Sequence, residues 1–286
     1  MIKLENVSYV YMQGGPFEKT ALNNINLEIG DGEFIGLIGH TGSGKSTLIQ
    51  LLNGLIKPTE GRVRVAGFDL TDKKTKMRDV RFKVGLVMQY PEHQLFEETV
   101  FKDIAFGPQN MGLPQEEIKN RVEFAANLVG LSKEILDKSP FDLSGGQKRR
   151  AALAGVLAMK PKVLILDEPT AGLDPIGRDT ILERIGDFRR ESNTTVLLVS
   201  HSMEDVAKVA DKVLVMNNGE VAMYDTVEKV YSHGEELHKM GLNVPHITKV
   251  VMGLRKKGID VPNNIYTVDK AYEYILNLFK KGGKLC

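Results

Sequence analysis

The chain has 286 residues, of which 42% are hydrophobic and 26% charged, and its formal net charge is +1. This is the composition of a globular protein with a sizeable core, and it lacks the basic excess of nucleic-acid-binding proteins, so we expect no nucleic-acid partner. No run approaches 18 apolar residues and the single cysteine is Cys286, so we expect neither a membrane span nor a disulfide within the chain.

Three strands are predicted in the first 38 residues. Residues 2–11 and 21–29 alternate roughly between apolar and polar side chains, which is typical of antiparallel strands with one buried face. Residues 34–38 are short and apolar, which favours a fully buried strand.

A glycine-rich loop follows the third strand and precedes a helical pattern that ends at Gly54. Glycines let consecutive backbone N–H groups converge on a phosphate, and the helix N-terminus adds its positive dipole end. In this pattern the lysine reaches the β- and γ-phosphates and the following hydroxyl ligates Mg²⁺. The predicted nucleotide-binding residues are Gly39, His40, Thr41, Gly42, Ser43, Gly44, Lys45, Ser46 and Thr47.

Two tyrosines precede this loop and could stack on an adenine ring. Either Tyr9 or Tyr11 could use its ring face in this way, and a half-buried strand tyrosine is the alternative for each. After the loop, strands are predicted through residues 62–65 and at 84–88, the latter ending at Gln89.

Residues 90–142 have a helical texture and are predicted to form a helical insertion in an α/β core. Apolar residues recur at helical spacing, and Pro108, Pro114 and Pro140 separate short helices. The segment 143–147 then places a Ser/Gly turn at the start of another helix, a second candidate anion site. Because the chain already has a phosphate loop, this turn is predicted to serve a nucleotide bound to a neighbouring chain. Its candidate residues are Ser144, Gly145, Gly146 and Gln147.

Two acidic residues end the apolar strand predicted at 163–166. Open α/β sheets bind ligands at the carboxyl ends of their strands, so Asp167 is suited to a Mg²⁺-linked role and Glu168 to polarising a water molecule. His201 ends the next buried strand, at 195–200, and is expected at the same sheet edge. For adjacent acids the usual alternative is a solvated strand end, but the phosphate loop favours a catalytic role here.

The remaining residues are predicted to form a hairpin at 213–223 and a C-terminal helical domain at 225–286. Its candidate helices are 244–257 and 267–281, the second capped by Thr267. One apolar face of this last helix must pack on the body of the chain or on another subunit. The face consists of Val268, Ala271, Tyr272, Ile275, Leu276 and Phe279.

The ordered motifs GHTGSGKS, Gln89, LSGGQ, VLILDE, GLD and His201 resemble those of ABC transporter nucleotide-binding subunits over residues 1–224. The resemblance implies the α/β P-loop ABC-ATPase fold, with a mixed central sheet, an antiparallel β subdomain, a helical subdomain and here a small C-terminal helical domain, a possible dimerisation element. It implies that Mg²⁺ and ATP bind between two head-to-tail subunits, with Lys45 and Ser46 on one side.

Individual roles also follow from the resemblance. Tyr11 matches the adenine-stacking aromatic, and Gln89 matches the glutamine that senses the γ-phosphate and Mg²⁺. Glu168 matches the catalytic base, and His201 the γ-phosphate switch histidine.

Residues 89–112 are similar to the ATPases of energy-coupling factor importers. These complexes combine two related ATPases, a transmembrane coupling protein and a small substrate-binding membrane protein, and they import vitamins or transition metal ions at the cytoplasmic face of the prokaryotic membrane. The resemblance implies that the coupling protein docks near residues 90–100. Leu95, Phe96 and Val100 are the predicted apolar anchors, and Glu92, Glu97 and Glu98 the predicted charges. The alternative is a turn that packs on the core.

Three alternatives to an energy-coupling factor ATPase remain open. One is a homodimeric cobalt- or nickel-type transporter ATPase. Another is a soluble ABC ATPase of translation or DNA repair, although neither a second cassette nor a long insertion is present. The third is a clamp that binds nucleotide without hydrolysis, and Glu168 and His201 argue against it.

Overall fold

The computed structural model describes residues 1–280, which form two sheets and a set of helices. Within that range no helix is both long and apolar enough to cross a membrane. The strands are β1 Ile2–Tyr11, β2 Lys19–Ile29, β3 Phe34–Gly39, β4 Glu60–Val65, β5 Phe68–Asp69, β6 Val84–Val87, β7 Val163–Asp167, β8 Thr195–Val199, β9 Lys212–Asn217 and β10 Glu220–Thr226.

The larger sheet has six strands in the order β10-β9-β3-β8-β7-β6. The strands from β9 to β6 run parallel to one another, and β10 returns antiparallel to β9 through the hairpin that was predicted. Strands β3 and β8 are buried at every residue because helices or the second sheet cover both faces. The carboxyl ends of β3, β7 and β8 therefore meet at one edge.

The smaller sheet is antiparallel, with strand order β2-β1-β4-β5. Alternate residues of β1 and β4, including Ile2, Leu4 and Val63, point into a core shared with the larger sheet and the first helix. The predicted mixed sheet and antiparallel subdomain are both present.

Helices cover the larger sheet and build the inserted region. Helix α6 (Gly145–Leu157), capped by Ser144, packs against α3 (Val100–Asn110) and α4 (Gln115–Leu128). The short helix α2 (Met77–Lys83) and the long α7 (Pro175–Ser192) were not predicted, although α7 buries Ile181, Leu182, Ile185 and Phe188 at helical spacing. The helices are α1 Lys45–Leu52, α2 Met77–Lys83, α3 Val100–Asn110, α4 Gln115–Leu128, α5 Lys133–Leu136, α6 Gly145–Leu157, α7 Pro175–Ser192, α8 Met203–Val209, α9 Val227–Ser232, α10 Gly234–Lys239, α11 His246–Lys256 and α12 Val268–Lys280.

The C-terminal helices pack partly on the body of the chain. Tyr231 of α9 is fully buried with Ile38 of β3 and Val206 of α8 in one cluster. A smaller core, formed by Val251, Val261, Ile265 and Ala271, holds α11 and α12 together. The proposed domain boundary at residue 224 remains a prediction, and continuous packing runs across it through α9.

The apolar face predicted on the last helix is mostly exposed. Thr267 caps α12 as predicted, accepting a hydrogen bond from the Lys270 backbone. Ala271 is buried, whereas Val268 and Tyr272 are 70% and 65% exposed. Most of the face therefore does not pack on the described part of this chain. The predicted helix end at residue 281 and the side chain of Phe279 lie outside the described residues.

Candidate nucleotide-binding site

The glycine-rich loop joins β3 to α1 in a conformation that two of its glycines make possible. A Cβ on Gly39 would lie 2.4 Å from the Ser43 hydroxyl oxygen and 2.5 Å from the Met216 carbonyl oxygen. Gly44 has a φ of +104°, and a Cβ there would lie 2.7 Å from the Ala21 carbonyl oxygen. Because α1 begins at the next residue, its first N–H groups point toward the loop.

Lys45 is held inside this loop by the loop's own carbonyl groups. Its ammonium donates to the carbonyl oxygens of Gly39 at 2.6 Å and His40 at 3.0 Å. Burial lowers the pKa of Lys45, while the negative charges of Glu168 and Asp167 oppose that shift. The lysine is thus a buried cation aimed at the cleft, ready to exchange carbonyl partners for phosphate oxygens.

The turn between β9 and β10 supports the loop from behind. Gly219 donates its N–H to the Ser43 carbonyl at 3.0 Å and accepts from Asn23 at 2.8 Å. The His40 Nε2 lies 3.2 Å from the Asn217 Oδ1. These contacts hold the loop in position.

The two predicted acids lie opposite the loop. Asp167 is the last residue of β7, and Glu168 follows in the left-handed region at φ +51° with its N–H bonded to the Val199 carbonyl at 3.0 Å. Burial raises the pKa of Glu168 to about 7, and the Asp167 charge adds to the shift. The Glu168 Oε1 is buried and has no hydrogen-bond partner within residues 1–280. A base poised near neutral pH suits activation of water.

His201 lies beside this acid, as the shared sheet edge predicted. Its Nε2 is 3.9 Å from the Glu168 Oε1, and its side chain is 63% exposed toward the cleft. The imidazole can therefore reach a ligand without first leaving a packed position.

A cleft of about 690 Å³ brings most of the predicted residues together. Met12, Phe17, Lys19 and Ala21 also line it, although no sequence motif marks them. The short Gly-Gly-Pro turn between the first two strands, next to Tyr11, was the only available signal. The predicted residues that line the cleft are Tyr11, Thr41, Gly42, Gly44, Lys45, Ser46, Thr47, Gln89, Asp167, Glu168 and His201.

Of the two tyrosines, the geometry favours Tyr11 for base stacking. Tyr11 lines the cleft and its hydroxyl lies 3.2 Å from the Thr47 Oγ1. Tyr9 packs edge-on against it, with ring centroids 4.8 Å apart, and is partly buried against the core.

The second Ser/Gly turn lies elsewhere on the surface. The Ser144 hydroxyl accepts from the Gln147 N–H at 3.3 Å, and the Gln147 side-chain oxygen accepts from the Ser144 N–H at 3.0 Å, a capping box that starts α6. Ser144, Gly145 and Gly146 are exposed, and none of them lines the cleft. This helix end is therefore preformed and open to another molecule.

The segment 90–100 only partly matches its predicted docking surface. Phe96 is 58% exposed and packs edge-on against Phe106, at one side of a groove of about 300 Å³. The prediction for Val100 was wrong, because this side chain is fully buried at the start of α3. The prediction for Glu92 as a docking charge was also wrong: its side chain is only 17% exposed and pairs with Arg149. Local sequence does not reveal a partner 57 residues away.

Comparison with known proteins shows the family of this chain. Residues 22–171 match the ABC transporter family. The energy-coupling factor transporter ATP-binding protein EcfA2 of Caldanaerobacter subterraneus is 56% identical over 98% of this chain and 98% of its own length. The EcfA2 protein of Clostridium perfringens is 57% identical with the same coverage. The family resemblance seen in the sequence is confirmed.

Solved structures extend the match to the fold. The structure of cbiO1 from Clostridium perfringens, part of the ABC transporter complex cbiONQ, is 38% identical, has a TM-score of 0.74, and covers 88% of this chain and 98% of its own. An ATP-binding cassette solved as a dimer in a post-hydrolysis state, bound to ADP and Pi, is 29% identical with a TM-score of 0.72, covering 79% of this chain and 99% of its own. The predicted ABC-ATPase fold is confirmed.

Proposed function

The chain belongs to the energy-coupling factor ATP-binding proteins of the ABC transporter family, and from this premise we propose that it is the ATP-hydrolysing motor of an importer for a vitamin or a transition metal ion. The observation that carries the proposal is the cleft in which Lys45, Glu168 and His201 face one space. A clamp that only binds nucleotide has no need of a buried carboxylate next to the phosphate site.

The phosphate loop and Lys45 bind the β- and γ-phosphates of ATP, and Tyr11 stacks on adenine. Ser46, Gln89 and Asp167 line the same cleft and offer oxygen ligands that suit Mg²⁺. Among residues 1–280 no three His, Cys, Asp or Glu side chains could hold a metal by themselves. When bound, Mg²⁺ would be held by few protein groups together with substrate phosphates, and it would neutralise phosphate charge.

Hydrolysis requires a base for the attacking water. Glu168 accepts the water proton, since its buried carboxylate has a pKa near neutral and an unpartnered oxygen. His201 donates a hydrogen bond to the γ-phosphate from the neighbouring strand end. Gln89 senses whether that phosphate is present.

The nucleotide site is completed by a second ATPase. The exposed turn at Ser144 and Gly146 does not line the cleft beside the phosphate loop of its own chain. It therefore serves the ATP of a partner subunit. The exposed apolar side chains of α12, Val268 and Tyr272, provide a further contact for that subunit. The partner is either an identical chain or a paralogue.

Transport requires membrane proteins, and the groove beside Phe96 is the proposed docking site for a transmembrane coupling protein. Phe96 and Phe106 supply apolar contacts there, and Glu97 supplies an acidic group for a basic partner. The coupling protein in turn contacts a small substrate-binding membrane protein. The chain then works peripherally, at the cytoplasmic face of a prokaryotic membrane.

Copurification of the tagged chain from detergent-solubilised native membranes tests this proposal. We expect a second ABC ATPase and two membrane proteins, with Mg²⁺-dependent ATP hydrolysis. The likeness to cbiO1, part of the ABC transporter complex cbiONQ, is compatible with a second candidate, a homodimeric cobalt-type ATPase. Recovery of a single ATPase species would favour this candidate. Recovery of ribosomes or DNA-repair proteins instead of membrane proteins would refute both.

The docking site has its own test. Phe96→Ala with Glu97→Lys should reduce recovery of the membrane proteins, since truncating an interface anchor typically costs about 1–2 kcal/mol or more, while ATP binding is retained. Val250→Ala with Lys249→Glu removes an exposed apolar side chain and reverses a charge on α11 as a matched control. Equal recovery of the membrane proteins with both double variants would move the docking site elsewhere.

A further inference from the structure

One buried arginine connects three segments that carry separate parts of the proposed mechanism. Arg149 lies in the second turn of α6, four residues after Gly145, and is 7% exposed. Glu92 follows Gln89 by three residues, and Ala171 follows Glu168 by three. The proposed function gives roles to Gln89, Glu168 and the start of α6, but it gives none to the arginine between them.

The guanidinium of Arg149 uses three different nitrogens for two different partners. Its Nε donates to the Glu92 Oε2 at 3.2 Å and its Nη2 to the Glu92 Oε1 at 2.8 Å. Its Nη1 donates to the Ala171 carbonyl oxygen. Because the guanidinium is planar and rigid, these bonds fix both the distance and the angle between Glu92 and the Ala171 peptide.

The Ala171 backbone is in turn tied to the proposed catalytic base. The Ala171 N–H donates to the Glu168 carbonyl at 3.2 Å, which closes a turn around residues 168–171. Glu168 itself has a φ of +51°, a conformation that a non-glycine residue keeps only when its surroundings enforce it. A group that anchors the far side of this turn therefore contributes to holding the carboxylate in place.

We propose that Arg149 is a positioning residue that locks the segment after Gln89, the turn after Glu168 and the start of α6 into one unit. A movement of the docking segment, residues 90–100, then shifts the carboxylate of Glu168. A movement of the Ser144 turn shifts both the docking segment and that carboxylate. The inference rests on the proposed function, because it assigns a consequence to residues that the proposal makes catalytic. Arg149 acts by positioning other residues and not by touching the nucleotide, since it lies outside the nucleotide cleft.

Only an arginine can make all three contacts at once. Arg149→Lys keeps the charge and can pair with Glu92, but a single ammonium cannot also reach Ala171 in the geometry of a planar fork. Glu92→Gln with Arg149→Met removes both charges together, so that no unpaired charge is left buried. Arg149→Lys loses the connection to Ala171 but keeps the ion pair, whereas the double variant loses both. Comparing the two separates the effect of the connection from the effect of the ion pair.

The chain offers a matched control within the same helical region. Arg121 donates from its Nε to Glu117 at 2.6 Å and from its Nη1 to the Met159 carbonyl at 3.3 Å, so it also joins a carboxylate to a distant carbonyl. Neither partner adjoins a residue of the nucleotide cleft. Glu117→Gln with Arg121→Met therefore reproduces the chemical change without touching the proposed connection.

The test measures ATP hydrolysis by the copurified complex and amide hydrogen exchange at residues 168–173 of the full chain. For Arg149→Lys and for the Glu92/Arg149 double variant we expect kcat to fall about 10- to 100-fold, the effect of misplacing a catalytic group by roughly 1 Å. We expect KM for ATP to stay within about twofold, and exchange at 168–173 to become faster. Thermal unfolding midpoints close to that of the Glu117/Arg121 control would show that the fold is retained.

Two results would overturn the inference. One is a kcat for Arg149→Lys equal to that of the control variant in a complex that hydrolyses ATP. The other is unchanged amide exchange at residues 168–173 in both Arg149 variants. A wild-type complex that does not hydrolyse ATP would instead refute the proposed function, and the exchange measurement would still decide whether Arg149 holds the turn.

Discussion

Replacing Glu168 by glutamine is the sharpest chemical test of the proposed site. The amide has nearly the shape of the carboxylate but cannot accept a proton from water. The Glu168 Oε1 forms no hydrogen bond within residues 1–280, and the nearest cationic candidate, the His201 Nε2, is 3.9 Å away. The substitution therefore breaks no internal ion pair at close range, and we expect the fold and the ATP affinity to be unchanged.

The expected loss lies in the chemical step. A positioned general base contributes about 10²–10⁴-fold, and at about 1.36 kcal/mol per tenfold this raises the barrier by about 3–5 kcal/mol. Single-turnover hydrolysis, started by adding Mg²⁺ to the complex with bound ATP, isolates this step from product release. Glu183→Gln, an exposed acid on α7, is the control for a lost carboxylate.

A single-turnover rate for Glu168→Gln within threefold of the Glu183→Gln rate would refute the reasoning. In that case the base is another group or the reaction needs none. A large loss that is accompanied by an equal loss of ATP affinity would also contradict it, because the carboxylate would then act in binding.

Three further substitutions test other parts of the account. Lys45→Ala removes a charge-assisted hydrogen bond worth about 1.5–3 kcal/mol, so calorimetric titration should show ATP binding weakened about 10- to 100-fold, and unchanged affinity would contradict the phosphate-loop assignment. Gly39→Ala places a Cβ 2.4 Å from the Ser43 hydroxyl, so it should destabilise the chain by about 1–3 kcal/mol; an unchanged melting temperature would show that the loop has more room. A hydrogen bond from Thr71, together with Arg62, lowers the pKa of Asp69 from 3.8 to about 2, so its stabilisation is complete above about pH 4 and lost as the pH falls toward 2. Asp69→Asn should flatten the fall in melting temperature over that window, and an unaltered acid profile would refute the link.

The sequence was most informative where function depends on neighbouring residues. The phosphate loop could be predicted because a strand, a glycine turn and a helix follow one another within about twenty residues. Asp167 and His201 could be placed together because parallel strands share their carboxyl edge, and the structure has both at that edge.

Contacts between residues that are far apart in the chain could not be predicted from the sequence. Glu92 reads as a surface charge because nothing nearby in the chain can pair with it, yet Arg149 buries it. Val100 reads as an exposed anchor because a single apolar residue at a helix start carries no periodicity. Phe17 lines the cleft only because the turn before β2 folds toward the loop, and no pattern in residues 12–18 specifies that direction.

The same reason explains the C-terminal region. Amphipathic spacing predicts that α12 has an apolar face, but it does not say what covers that face. The structure packs Ala271 inside and leaves Val268 and Tyr272 exposed. Periodicity gives the face, and only tertiary or quaternary contacts decide its partner.

The central claim is that ATP joins the phosphate loop of one chain to the Ser144 turn of another. Light scattering of the Glu168→Gln chain with ATP and Mg²⁺ tests it most directly, alone and mixed with the second ATPase that copurifies. We expect a dimer, about twice the 31.7 kDa of one chain in the homodimeric case, and we expect Ser144→Arg in the same background to abolish it without changing ATP affinity. A chain that binds ATP but stays monomeric, both alone and with the second ATPase, would contradict the claim. A dimer that survives Ser144→Arg would also contradict it.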